Sequence, residues 1–256
     1  MAQYIHQLNI AAILEDLIAF EQSLKDLFDQ YNMDLRVNLG RRNALISSLQ
    51  EKVTAKHLGE IFIDVVNDGA PGKPDIQIHD IDRELECKIT SGSRSKGYVS
   101  YALQTDYDTI CKKSSLDYMY ILCNDTFDKF CVLFFEDLTS EDFFLPASGS
   151  RGKSRMKKKN AMKKCTPLWG GWNVKNEQLI SRYKDRKKTH TEQHNERIGK
   201  ILNKAYEDNI CLKKVASMIE REEETYDKKI KNIDEKIKKW QEKDPQFSFV
   251  FKTIEH

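Results

Sequence analysis

Asp75, Glu86 and Lys88 are the residues of this chain whose types and spacing could do chemistry, and they fall within one stretch, GKPDIQIHDIDRELECKI, from Gly72 to Ile89. Ile76 and Ile78 alternate with polar residues, His79-Asp80-Ile81-Asp82 reads as a tight reversal, and Leu85-Glu86-Cys87-Lys88-Ile89 makes a second short run. That pattern predicts two adjacent strands joined by a turn. Residues two apart on a strand share a face, roughly 6.6 Å from one another, so Glu86 and Lys88 project together and Cys87 points the other way. Asp75 stands at the start of the neighbouring strand, where pairing brings its carboxylate to the side of Glu86. Two carboxylates that close repel each other, and a divalent cation relieves the repulsion. Mg²⁺ takes one or two protein carboxylates and fills its other positions with water and phosphate oxygens, which is the ligand set of phosphodiester hydrolysis.

Pro74-Asp75, then Glu86-Cys87-Lys88 after a short turn, resembles the PD-(D/E)xK nuclease superfamily, the fold of most type II restriction endonucleases. The resemblance covers residues 54–137. It implies an αβββαβ core, Mg²⁺ as cofactor and double-stranded DNA as substrate, cut at a specific short site to leave a 5′-phosphate. Asp75 and Glu86 would bind the metal with help from the Cys87 backbone carbonyl, and Lys88 would position the attacking water. A helix glutamate often joins such a site, and Glu60 is the conditional candidate. Short palindromic sites imply a two-fold homodimer. Gln104 and Tyr107 match residues of some members only loosely. Two rivals stay open: a low-specificity nuclease of repair or defence, and a non-catalytic DNA-binding or assembly protein in which Glu86 and Lys88 form only an ion pair.

The elements that must position these residues are readable in part. Apolar residues at helical spacing predict a helix over 9–31, carrying Ile13, Leu17, Phe20 and Leu24 inward. A second helix is expected over 54–68, capped by Thr54, with Leu58, Phe62, Val65 and Val66 as its inner stripe. A third is expected over 98–113. Tyr118 to Cys123 and Phe130 to Phe135 are apolar and rich in aromatic and branched residues, the mark of buried strands. The fold class expected is therefore α/β (α+β), a mixed sheet flanked by helices, which the resemblance implies is restriction-endonuclease-like. A further strand near Asn67 is left open.

With 256 residues the chain can bury a sizeable core, and a net charge of +2 hides a strong local asymmetry. Residues 148–164 hold no acidic residue at all. Arg151, Lys153, Arg155, Lys157, Lys158, Lys159 and Lys163 there, with Arg94 and Lys96 in the loop after Ile89, form the expected DNA-binding set. Beyond 176, Val215, Ile219, Tyr226, Ile230, Ile233, Ile237 and Trp240 recur at steps of three and four, the narrow seam of a helical hairpin or coiled coil. The organisation expected is an N-terminal helical segment (1–50), a catalytic core (51–146), a basic DNA-contacting loop region (147–175) and a helical C-terminal region (176–256). Six cysteines without CxxC spacing read as buried thiols. The lack of a secretory signal or a membrane-spanning run points to a soluble cytoplasmic protein. His190 and His194 have no third ligand nearby and read as surface residues.

Overall fold

Asn9 accepts the Ala12 N–H at 3.2 Å and so starts helix α1 (Ile10–Gln30), which buries Ile13, Leu14 and Leu17. The computed structural model describes residues 4–69, 73–95 and 98–254, apart from the side chains of Gln7 and of residues 93–99. Helix α2 (Leu39–Gly59) is capped by Asn38, whose side chain accepts the Arg41 N–H at 3.1 Å. Strands β1 (Val65–Val66), β2 (Ile76–Ile78) and β3 (Arg83–Ser91) follow, then the short β4 (Ser93–Ser95), β5 (Tyr98–Ser100) and β6 (Gln104–Asp106). Helix α3 (Tyr107–Lys113) leads to the long strands β7 (Leu116–Cys123) and β8 (Lys129–Leu138). After β9 (Lys153–Arg155), α4 (Lys158–Ala161), β10 (Cys165–Trp169) and β11 (Gly171–Val174) come helices α5 (Lys175–Glu207) and α6 (Leu212–Glu242), and the chain ends in β12 (Phe247–Val250) and β13 (Lys252–Thr253).

The chain forms two compact units, residues 1–172 with 249–256, and residues 173–248. The division falls at 172/173 where a boundary at 175/176 is expected, and the final residues return to the first unit. That unit is built on a mixed seven-stranded sheet in the order β1-β2-β3-β7-β8-β10, with β13 also along β8. Only β3 and β7 run parallel, joined by a connection that includes α3, and every other pair is antiparallel. All eight residues of β7 are buried, as an internal strand covered on both faces requires. Helices α1 and α2 cover one face, where Ile13, Leu14, Leu17, Ile46 and Val53 pack with Cys87, Met119 and Ile121. Each such aliphatic side chain removed from water contributes roughly 1.5–3 kcal/mol.

Arg42 of α2 ties helices and sheet together. It is fully buried, donates to Asp125 O at 2.6 Å and Ser91 Oγ at 2.7 Å, lies 4.8 Å over the Phe127 ring and stands 3.7 Å from Glu21. Arg36 pairs with Glu21 as well, at 2.9 Å.

Three expected elements are corrected. The second helix begins at Leu39 and ends at Gly59, and Val65 and Val66 lie on β1 against Ile78 and Gln77. β-branched residues beyond a terminal glycine favour the strand, and β1 is the further strand left open near Asn67. Residues 98–100 and 104–106 form two short strands, β5 paired with β4 and β6 with the distant β9; α3 begins only after Asp106, whose side chain accepts the Thr109 N–H at 3.1 Å. The basic segment is not a loop throughout, since β9 and α4 fall inside it. Among the cysteines, Cys111 and Cys211 are exposed rather than buried.

In the second unit α5 and α6 form an antiparallel hairpin, the folded-back alternative of the expected seam. Val215 and Ile233 are buried, Tyr226 stacks on His194 with ring centres 4.2 Å apart, and Arg197 bonds Glu222 at 3.0 Å. Buried Asn176 closes the base by donating to Trp240 O, Lys243 O and Asp244 O.

Candidate active site

The turn between β2 and β3 is a single 3-10 turn, His79–Ile81, and Asp82 follows in the left-handed region with φ 52°. Its register sets Ile76 opposite Leu85, so β2 has begun only one residue after Asp75, and the next position along β3 is Glu86. Asp75 therefore leaves the ladder and turns its carboxylate onto β3. Its Oδ2 accepts the Cys87 N–H at 2.7 Å and the Lys88 ammonium at 3.2 Å. Asn67, just after β1, donates to the Asp75 carbonyl at 2.6 Å and fixes the backbone there. The N–H and C=O of one strand residue face the same edge, so the Cys87 carbonyl also points past the end of β2.

Lys88 Nζ also donates to Glu86 Oε2 at 2.5 Å, so one ammonium bridges the two carboxylates. The strand spacing placed Asp75, Glu86 and Lys88 together, and the structure brings these three side chains to one point. Glu86 is only 7 % exposed, whereas the Lys88 side chain is a third exposed. Burial, together with the negative charge of Asp75, raises the Glu86 pKa against the pull of Lys88. Burial opposes the charge on Lys88, but Glu86 and Asp75 outweigh it and raise its pKa, so Lys88 stays protonated at neutral pH.

A third carboxylate belongs to this cluster. Glu51 of α2 has its pKa pushed up to about 7, first by burial and then by the charge of Asp75, with Glu86 adding to it and Lys88 opposing. The candidate helix acid, Glu60, lies elsewhere. It is the C-cap of α2, mostly exposed, and its carboxylate meets His57 Nδ1 at 3.3 Å. The true length of α2 includes Glu51, more than two turns earlier, and that acid is the one under the charge of Asp75, Lys88 and Glu86. Among the described residues no group of three or more His, Cys, Asp or Glu side chains stands ready-made at metal-ligand spacing.

The face of β3 that carries Glu86 and Lys88 continues on β7 as Tyr118 and Tyr120, their register partners. These rings stack 5.8 Å apart, Tyr118 shares a hydrogen bond with Thr105 at 2.8 Å, and Tyr120 donates to Gln104 O at 3.0 Å. Thr105 and Gln104 lie on β6, opposite Ser154 and Arg155 of β9. The basic strand β9 is thus tied to the Glu86 face of the sheet, with Lys153 and Arg155 exposed and Ser154 buried. Gln104 contributes its backbone to this arrangement, while Tyr107 sits on α3 beside Cys111.

The rest of the expected DNA-binding set divides. Arg151, Lys159 and Lys163 are exposed. Lys157 donates to Glu141 O at 3.1 Å, and Lys158 turns inward, donating to Tyr101 O at 3.1 Å over the Phe249 ring; burial lowers its pKa. Arg94 is on β4 with its side chain outside the described parts, and Lys96 lies outside the described residues. No described helix is long and apolar enough to cross a membrane. Compared with family models, with curated proteins and with solved structures, the chain matches none.

Proposed function

We propose that the chain is a Mg²⁺-dependent nuclease that hydrolyses phosphodiester bonds of double-stranded DNA, of the type II restriction class, on a restriction-endonuclease-like core. The observation that carries this reading is the Asp75–Lys88–Glu86 bridge, held by the Cys87 N–H with Glu51 beside it. Three carboxylates stand against one ammonium at a point where burial penalises negative charge, and burial first, with the charge of Asp75 adding to it, raises the Glu51 and Glu86 pKa values. Carboxylate oxygens with a backbone carbonyl are hard donors that suit Mg²⁺. Asp75, Glu86 and the Cys87 carbonyl would hold it, with Glu51 in reach of the same charge. When bound, the ion supplies Lewis acidity toward a phosphate oxygen and a bound water.

The protein's own residues divide the remaining work. Lys88, protonated, orients the attacking water and offsets charge on the phosphoryl oxygens. With a pKa of about 7, Glu51 is suited to accept that water's proton at neutral pH. The P–O3′ bond breaks, solvent protonates the 3′-oxygen, and the water oxygen stays on the 5′-phosphate. Lys153 and Arg155, on the strand tied to this face, contact the duplex backbone. A two-fold homodimer would give each DNA strand one such site.

One observation favours a second reading. Lys88 already bridges Asp75 and Glu86 and offsets part of their charge without any metal, which is what an inert ion pair in a DNA-binding protein would do. Incubating wild type and Asp75→Ala with a plasmid, in Mg²⁺ and in chelator, separates the two. Discrete fragments that need both Mg²⁺ and Asp75 are the expected result, and a smear marks a low-specificity nuclease. No cutting by wild type removes the nuclease assignment, and equal cutting by the variant moves the chemistry away from Asp75 to a different site.

A further inference from the structure

We infer that the helical hairpin carries a binding site of its own for a nucleic-acid phosphate backbone, in a groove between α5 and α6 lined by Arg186, His190, Lys228, Lys229, Asn232 and Lys236. The groove has a volume of about 240 Å³ and is floored by Ile233, which is 5 % exposed. No acidic residue lines it. Among the described residues, none of Arg186, Lys228, Lys229 or Lys236 stands within 4.0 Å of a carboxylate, and the one further contact of this set is Lys236 over the Tyr183 ring at 6.0 Å.

Some cations elsewhere on the hairpin are paired and many are not, so what sets this group apart is that its members line one groove with no acidic residue in it. Lys187 meets Asp234 at 2.7 Å, Arg197 meets Glu222 at 3.0 Å, and Lys200 meets Glu196 at 2.6 Å. A two-helix seam flanked by Lys and Glu ordinarily settles into such pairs. Here four permanent cations and a histidine share one groove within about a Debye length, and their mutual repulsion lowers stability. An anion with several charges relieves it.

Dimensions select the anion. Lys229 and Lys236 are seven residues apart on α6, about 10.5 Å along its axis, and Arg186 and His190 are one turn apart on α5. A DNA strand places a phosphate about every 3.4 Å of helix axis, so the groove spans about three. Asn232 adds an uncharged donor for a phosphate oxygen. A lipid surface would ask for exposed apolar residues beside the cations, and Ile233, the one apolar lining residue, is buried. The site makes no use of Asp75, Glu86 or Lys88 and stands whether or not the core cleaves.

The test measures binding of a short blunt DNA duplex to the full chain by fluorescence anisotropy across a salt series, in chelator so that no cutting intervenes. The variant is Arg186→Gln/Lys228→Gln/Lys229→Gln/Lys236→Gln, and the control neutralises as many hairpin cations away from the groove, Lys200→Gln/Lys204→Gln/Lys213→Gln/Lys214→Gln. All eight positions are exposed or edge positions of the helices, and retained helical circular dichroism qualifies both proteins. The groove variant is expected to lose about 0.9 of log–log salt slope for each phosphate the groove holds, about 2.7 for three, and the control much less. Equal slopes and affinities in the two proteins overturn the site. So does wild-type binding to phosphatidylserine vesicles that matches its binding to the duplex. Loss of plasmid cutting by Asp75→Ala bears on the core alone and leaves this result untouched.

Discussion

Replacing Glu51 by Gln should make the first unit more stable at alkaline pH and leave it unchanged in acid. In the unfolded chain Glu51 releases its proton near its ordinary value of 4.5, whereas in the fold, where burial and Asp75 act on it, it holds the proton to about 7. Between those values the folded state binds more protons than the unfolded one, so stability falls as pH rises through this window and the full penalty stands above it. At 1.36 kcal/mol per tenfold change in proton affinity the difference amounts to about 3 kcal/mol. Solvent screens a partly exposed carboxylate, which brings the expected gain for Glu51→Gln down to about 1–2 kcal/mol. Following hydrogen exchange of the buried β7 and β8 amides near pH 4 and near pH 8.5 (roughly either side of the window) isolates this unit from the hairpin. Added Mg²⁺ should then stabilise the wild type at the higher pH more than the variant, because ligation rewards the state that binds it. A Glu51→Gln protein that loses stability at alkaline pH, or gains as much in acid, would refute the idea that Glu51 shares the charge of Asp75.

Lys88→Met should cost about 1–3 kcal/mol above pH 7, because it leaves Asp75 and Glu86 facing each other with Glu86 buried; the cost should shrink as acid protonates Glu86, which denaturant titrations at two pH values would read. Glu60→Gln should leave both stability, within about 0.5 kcal/mol, and any Mg²⁺-dependent cutting as in wild type, since it caps α2 away from the bridge, and equal loss in Glu60→Gln and Glu51→Gln assays would contradict this placement. Gly170→Ala should destabilise by roughly 2–4 kcal/mol in thermal unfolding, because Gly170 has φ +72° and an added Cβ would stand 2.2 Å from the Val250 carbonyl oxygen.

How much of this was legible in the sequence follows from the range of the interactions involved. Strands β7 and β8 were readable because burial on both faces demands unbroken apolar runs, which Tyr118 to Cys123 and Phe130 to Phe135 supply. The convergence of Asp75, Glu86 and Lys88 was readable because a tight turn and the period of two fix it locally. Residues 98–106 were misread as helix, since what makes Gln104–Asp106 a strand is Lys153–Arg155, about fifty residues away.

Helix α2 shows why the third acid stayed hidden. Its inner face buries Arg42, Asn43, Gln50, Thr54 and His57 among the apolar residues, so the apolar stripe that announces a helix is broken just where the helix approaches the site. Reading periodicity alone starts the helix at Thr54, runs it through Gly59 into Val65, and makes Glu60 the acid nearest to β2. Arg42 reverses this. A guanidinium with no exposure must end on fixed acceptors, and Ser91 Oγ and the Asp125 carbonyl, at the far end of β3 and in the turn after β7, are those acceptors. Anchoring the start of α2 there makes it run back along β3, and Glu51, nine residues on and about 13.5 Å further along the axis, arrives at the level of Asp75. The polar interior that conceals the helix in the sequence is therefore also what aims its glutamate.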